Sequence, residues 1–287
     1  MPARVEALAS PADLSPVLTS RDLAFVVKLV YERAGINLHD GKRELVAARL
    51  QKRLRHHGLS SYREYLDLLQ HDSTGDEMVA FLDALATNHT AFFREEQHFG
   101  FLRETVVPEL LARPVKARIE GWSAACSSGE EPYTVGMTLA EALPAGSAGY
   151  HLLASDLSTK VLAMARAGVY TMDRVKDIPL HLLRRHFERG MGDQSGLARV
   201  QPPLRQAVEF VQLNLLEIGD LGRRFDFIYC RNVMIYFDLA VQQRVVSMLE
   251  RHLRPHGYLF ISHSESLNGI THGLRWVAPA VYQRRDA

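Results

Sequence analysis

Cysteine is almost missing from this chain of 287 residues: only Cys126 and Cys230 occur. A disulfide-stapled secreted scaffold is thereby set aside, and a reducing cytoplasm is the expected compartment. No apolar run is long enough to span a membrane, and the N-terminus lacks a basic start leading into an apolar stretch. Excess charge is lacking too. The 34 Lys and Arg residues stand against 33 Asp and Glu, so electrostatic recognition has to be local. Neither G-x-G-x-x-G nor G-x-x-x-x-G-K-[ST] is present; without the lysine of the second, triphosphate chemistry is disfavoured. The histidines show no ligand spacing, and no metal site is expected.

What is present falls into two parts. Residues 1–18 hold three prolines and no helical period, and read as a loose tail. Helical signatures follow. In "TSRDLAFVVKLVYERAG", Leu23, Val26, Val27, Val30 and Tyr31 share a face, with Thr19 or Ser20 able to cap the start and Gly35 able to stop the end. "SYREYLDLL" opens with Ser61 and Glu64 at capping-box spacing. "DEMVAFLDAL" carries a stripe of Met78, Phe81, Leu82 and Leu85. A small helical domain is expected over 19–85. Past residue 115 short apolar runs ("ARIEGW", "YHLLASD", "FDFIYC", "GYLFISH") alternate with helical stretches. That alternation predicts an α/β domain with a mainly parallel sheet. Between about 171 and 208 it breaks, and the Gly- and Pro-rich "RGMGDQSGLARVQPPL" reads as an insertion of turns and short strands.

The stretch "GWSAACSSGEEPY" (121–133) is a strand, a tight turn of small residues and a helix start, the general form of a nucleotide cradle. Glu130 and Glu131 stand where a pyrophosphate would use the positive end of the helix, and repulsion there costs several kcal/mol, on the order of Coulomb estimates at intermediate dielectric. S-adenosylmethionine has no phosphate; its sulfonium and ammonium are attracted by carboxylates. The alternative is that both acids merely match the helix dipole. Asp156, closing the next strand, suits two ribose hydroxyls, or else an N-cap for the helix from Ser158.

Five stretches in order, "TNHTAFFRE", "WSAACSSGEEPY", "ASDLSTKVLAMARAGVY", "FDFIYCRNVMIYFD" and "LFISHSESL", resemble the chemotaxis receptor methyltransferases, the CheR family of protein-glutamate O-methyltransferases. The resemblance runs from about residue 20 to the C-terminus. It implies an all-α N-terminal domain, a linker over 86–105, and a Rossmann-like class I methyltransferase domain over 106–287 with a small inserted β-subdomain. It further implies that Asn88, Thr90, Arg94, Glu131, Asp156, Asn214, Leu215, Arg231 and Asn232 hold S-adenosylmethionine and its product S-adenosylhomocysteine. Locally, Thr90 is also placed to cap a helix around Phe92–Arg103, Phe92 and Phe93 to be core, and His263 to be structural.

Methyl transfer to a glutamate is an in-line displacement by a carboxylate already ionised at pH 7, so no strong base is needed. Opposite charges annihilate along the reaction, so a dry site hastens the step, and alignment is the other contribution. Arg94, with its planar fork, and Tyr236, a neutral donor in "MIYFD", are the candidates for orienting the acceptor. Between residues 40 and 57 six Lys or Arg residues face two acids, and Lys42, Arg49, Lys52, Arg53 and His56 share a helical face. Such a stripe is ordinarily a solvated surface or a nucleic-acid contact. The resemblance points instead to acidic methylation helices of a receptor, steered by Arg49, Lys52 and Arg53. The insertion resembles the receptor-docking subdomain that grips a C-terminal tail peptide in some members. A monomer with no nucleic-acid partner and no membrane insertion is expected. Two alternatives stand: a methyltransferase for another acceptor, and a non-catalytic cofactor-binding scaffold.

Overall fold

A computed structural model describes residues 16–38, 40–86, 88–114 and 117–285. The chain divides into two compact units. The first takes in the chain up to Leu29 together with Leu38–Leu85, and the second takes in Val30–Asn37 and everything from Ala86. Most of the predicted tail lies outside the described residues. Its last residue, Leu18, is buried and its carbonyl accepts from Arg43, so the packed chain starts before Thr19.

The helices of the first unit are α1 (Ser20–Ala34), which runs on into the second unit, α2 (Arg43–His57), α3 (Tyr62–Gln70) and α4 (Asp76–Leu85). Thr19 caps α1, its hydroxyl oxygen accepting from the Asp22 amide. The Ser61–Glu64 capping box opens α3. Val46, Leu50 and Leu54 bury one side of α2.

The stripe on α4 is not the expected one. Glu77 is buried while Met78 is only half-buried. Glu77 is a hub: it accepts from Tyr65 Oη at 2.6 Å, Arg53 Nε at 2.9 Å and His57 Nε2 at 2.8 Å. This corrects the reading of α2. Arg53 is an internal ion-pair partner, and Arg49 donates to the Leu85 carbonyl. The fully exposed basic residues at this end of the helix are Lys52, Arg55 and His56.

The second unit begins with helical segments α5 (Gln97–Phe101) and α6 (Val107–Leu111), joined by one wide turn over Leu102–Val106. The helix does not start at Phe92, because Phe93 (φ 54°) and Glu95 (φ 58°) take left-handed conformations. The sheet domain follows as β1 (Ile119–Ala124), α7 (Glu130–Ala142), β2 (Tyr150–Asp156) and α8 (Thr159–Ala167). The insertion comes next, with β3 (Val169–Thr171), α9 (Leu180–His186), β4 (Phe187–Arg189) and β5 (Leu197–Val200). Then come α10 (Pro202–Gln206), β6 (Val208–Gln212), β7 (Phe225–Cys230), α11 (Leu239–His252), β8 (Leu253–Phe260), β9 (Leu274–Ala278) and β10 (Val281–Arg284).

The main sheet has the order β6-β2-β1-β7-β8-β10-β9, parallel through β8 and antiparallel in its last two strands. The insertion is a separate antiparallel sheet, β3-β5-β4. From Phe227 onward the side chains of β7 alternate between two cores, Ile228 and Cys230 packing with Trp122 and Leu249, Phe227 and Tyr229 with Tyr133 and Leu152; Phe225, before a register shift, joins the first. Strand order reverses between β2 and β7 on either side of β1, which puts a crevice at the carboxyl ends of these strands.

Replacing Arg53 by Glu is expected to set two carboxylates against each other at the α2–α4 contact and lower stability by about 2–3 kcal/mol. Urea denaturation of the full chain measures it; an unchanged midpoint would show that the Glu77 hub contributes nothing.

Candidate active site

The turn after β1 is built from left-handed residues. Ala125 (φ 66°), Ser127 (φ 50°) and Gly129 (φ 97°) fold the chain back on itself before α7. Gly129 is required twice over, since a Cβ there would also stand 2.9 Å from the Ala165 Cβ and from Tyr170 Oη. A turn of this kind aims backbone N–H groups inward and often holds an anion. Here the protein supplies the acceptors itself. The Ser127 amide donates to Asp156 Oδ2 at 2.8 Å, the Cys126 amide to the Ser155 carbonyl and the Gly129 amide to the Cys126 carbonyl. Oδ1 of Asp156 accepts from the Ser158 amide at 2.9 Å.

The two glutamates of the turn part company. Glu130 is fully buried, takes the Ser128 hydroxyl at 2.9 Å and pairs with Arg174 from the chain following β3. It belongs to the packing between the cradle and the insertion, which corrects the view of both acids as pocket groups. Glu131 accepts from Ser123 Oγ at 2.7 Å and from Arg231 Nη1 at 3.1 Å. Burial pushes its carboxyl above the ordinary value, and the neighbouring Arg231 charge opposes that rise.

Arg231 follows the end of β7 and is buried. Its guanidinium reaches Glu131, Glu95 at 3.1 Å and the Arg94 carbonyl, and it lies 5.5 Å from the centroid of the Phe99 ring. Both Nη groups of the guanidinium are thus engaged with protein, while Nε has no hydrogen-bond partner among the described residues. Asn232 (φ 59°) is engaged in the same way. Its side-chain amide donates to Ser262 Oγ at 2.6 Å and its backbone amide to Glu265 at 3.2 Å. The Ser262 hydroxyl in turn donates to Glu95 Oε1 at 2.7 Å.

Other predicted residues sit at this edge of the sheet. The Asn88 carbonyl accepts from Ser127 Oγ at 3.1 Å, which lays the segment before α5 on the cradle turn. Thr90 is half-buried in the same segment and does not cap α5, whose first residue is Gln97. Arg94 is half-buried, with Nη1 on the His89 carbonyl at 3.0 Å. Phe92 is core, edge-on to Tyr170 at 5.0 Å and to Phe187 at 5.7 Å. Asn214 spends its side chain on the Arg33 carbonyl and the Leu216 amide. Leu215 packs at the margin of the core beside α11. Tyr236 is half-buried, and its hydroxyl has no hydrogen-bond partner among the described residues.

Reading the sequence missed Ser123, Glu95, Ser262 and Glu265. The last three lie inside "TAFFRE" and "SHSESL", so the signal was motif membership, without any indication of which partner each takes. Glu95, His98 and His263 bring potential ligand atoms within 4.8 Å of one another. The two imidazoles are stacked at 4.7 Å with planes 22° apart, which sends their nitrogen lone pairs along nearly parallel planes instead of to one point. Glu95 is moreover already paired with Arg231. No metal is assigned there.

Burial, followed by the Arg231 charge, lowers His98 to about 4. Folded chains therefore keep it neutral, whereas the unfolded chain binds a proton near the ordinary value of about 6.5. The stability it contributes is present above about pH 6.5 and is lost as pH falls toward 4, by no more than about 3 kcal/mol. Urea denaturation across that window should show a steeper acid loss for the native chain than for His98→Phe; parallel curves would remove His98 as the source.

Residues 21–86 match the family model described as CheR methyltransferase, all-alpha domain, and residues 88–282 match the one described as CheR methyltransferase, SAM binding domain. A chemotaxis protein methyltransferase of Salmonella typhimurium is 42% identical over 258 residues, covering 90% of this chain and 88% of the relative. Chemotaxis protein methyltransferase 2 of Pseudomonas aeruginosa is 43% identical over 266 residues, covering 92% and 93%. That of Borreliella burgdorferi is 35% identical over 273 residues, covering 93% and 95%. Both units are matched, and the one bearing Glu131, Asp156 and Arg231 is the S-adenosylmethionine-binding domain: the chain belongs to the CheR methyltransferase family.

Proposed function

We propose that this methyltransferase esterifies glutamate side chains on the cytoplasmic domains of chemotaxis receptors. The observation that carries the reading is the cradle itself. The Cys126, Ser127 and Gly129 amides of its turn are already bonded to Asp156 and to backbone carbonyls, and its cations Arg231 and Arg174 are matched by carboxylates. Such a site suits a cationic, phosphate-free nucleoside and offers little to a pyrophosphate.

Glu131 would face the ammonium, Asp156 the ribose hydroxyls and the backbone around Asn214 and Leu215 the adenine, with Asn88 and Thr90 lying over the cradle. When bound, the sulfonium group supplies an electrophilic methyl carbon. The rest falls to the protein. Arg94 forks toward the incoming carboxylate, and the Tyr236 hydroxyl gives it a neutral donor; both orient the nucleophile, and neither needs to remove a proton. Arg94 can do this because its backbone is gripped by Arg231 while, among the described residues, its side chain is held only at the His89 carbonyl.

On the first unit, Lys52, Arg55 and His56 form the exposed basic end of α2, suited to steering acidic methylation helices. Arg49 and Arg53 support that surface from within. The β3-β5-β4 sheet ends in two short edge strands, and strand addition at one of them would hold a receptor tail peptide.

Tritiated methyl transferred to receptor cytoplasmic domains should be released by alkali, as esters are; a label that persists would mean a nitrogen acceptor and overturn the reading. Arg94→Ala should lower turnover at least tenfold with adenosylhomocysteine affinity held within a few-fold. Asp156→Ala should do the reverse, weakening that affinity by tenfold or more, or about 1.4 kcal/mol. Calorimetry and initial rates separate the two, and native affinity in Asp156→Ala would reject the ribose role.

A further inference from the structure

Glu265 lies in the turn after β8, and of its bonds only the one from the Asn232 amide has been described so far. Its carboxylate gathers backbone amides from two loops. Oε1 accepts from Met234 at 2.8 Å, and Oε2 accepts from Ser262 at 2.8 Å and from Asn232 at 3.2 Å. The Ile235 amide bonds it as well. Three of these four donors come from 232–235, the segment that starts in the left-handed Asn232 and delivers Tyr236.

Successive amides turned to one side of a loop form an anion-binding concavity. A carboxylate is the side chain that fills it, since its two oxygens accept several N–H bonds at once, and charge-assisted bonds are roughly twice as strong as neutral ones. Glutamine in its place has one acceptor oxygen and turns an NH2 toward an amide N–H. The cost falls on this loop more than on the fold. Met234 and Phe237 anchor the segment in the apolar core on either side of Tyr236, and Leu267 anchors the turn that carries Glu265. Asp156 closes β2 and Glu131 lies in the first turn of α7, and the bonds that hold them there do not involve Glu265. The loop's other ties are neutral hydrogen bonds: Asn232 to Ser262, Gln242 to the Met234 and Phe237 carbonyls, and the Asn37 amide to the Tyr236 carbonyl.

We propose that Glu265 is a positioning residue for methyl transfer: by binding the amides of 232–235 it sets the Tyr236 hydroxyl where the acceptor carboxylate arrives. This rests on Tyr236 orienting the acceptor. It assigns a role to the acid of "SHSESL" that neither cofactor binding nor core packing requires.

The test is a double-mutant cycle on the full chain with a receptor cytoplasmic domain as acceptor, comparing Glu265→Gln, Tyr236→Phe and the pair. Expected are at least a tenfold fall in kcat for Glu265→Gln, an adenosylhomocysteine Kd within threefold of native, and a double variant no slower than the slower single one. Native turnover in Glu265→Gln overturns the proposal. So do losses that multiply in the double variant, or a Kd that weakens in step with kcat, since both mark a general structural defect. Full activity in Tyr236→Phe sinks the Tyr236 reading on its own, whatever Glu265→Gln does, and the proposal falls with it. If Glu265→Gln does not fold, Glu265→Asp, which keeps the charge but shortens the reach, is read against the same outcomes.

Discussion

The guanidinium of Arg231 is a buried cation that touches three segments at once: Glu131 at the cradle, Glu95 and the Arg94 carbonyl before α5, and the aromatic face of Phe99. Burying such a charge costs several kcal/mol unless paired and hydrogen-bonded neighbours offset it. Here two carboxylates and a carbonyl do so, and the planar fork lets one side chain serve all of them. The consequence is geometric. Phe93 and Glu95 are held at positive φ, a conformation non-glycine residues avoid, and the helix cannot start until Gln97. Between those two strained residues sits Arg94. The side chain proposed to meet the incoming carboxylate is thus delivered by a loop bonded to a different arginine.

The same economy runs through the acids. Glu130 and Glu131 are neighbours in sequence, yet the first, itself fully buried, is paired to Arg174 of the insertion and the second shares its charge with Arg231. Asp156 holds the turn together through the Ser127 amide before any ligand arrives. Glu265 does the corresponding work on the far side of β7, for the loop that leads to Tyr236. Each carboxylate closes one loop at the carboxyl edge of the sheet. The edge is therefore formed in advance by charge-assisted bonds, whose stiffness exceeds that of the small residues making up the loops.

Much of this was legible in the residues. The switch from helical period to alternating strands located the two units, and "SSGEEPY" with the acid closing the next strand marked the cradle. Capping at Thr19 and Ser61 is a local property and read directly. What failed to read was long-range. Nothing near Glu130 says that Arg174 will reach it, so two adjacent acids looked alike. Arg53 looked like a free surface charge because the helix period gives a face, while its partner Glu77 comes from another helix and displaces Met78 from the buried stripe. The motif that suggested Arg231 and Asn232 as cofactor residues gave no sign of the bonds their side chains make to Glu131, Glu95 and Ser262, which come from distant segments. A helix from Phe92 was reasonable on composition. Positive φ at a phenylalanine and a glutamate is imposed by tertiary contacts and leaves no mark in the sequence.

On the proposed reaction a carboxylate and a sulfonium both lose their charge as the new bond forms. Water stabilises the separated charges of the reactants more than the dispersed charge of the transition state, so a site that excludes it favours the step, provided something else holds the reactants in line. A cradle lined by loose, solvated acids would fail on that count, since each would draw water in. Carboxylates already bonded to amides, hydroxyls and a buried guanidinium have their hydration replaced by fixed dipoles and need no reorganisation when the methyl moves. That explains why the site carries so many ionised groups and so little apparatus for proton transfer. Its charges hold loops in place and match a cationic donor, and the acceptor arrives already ionised.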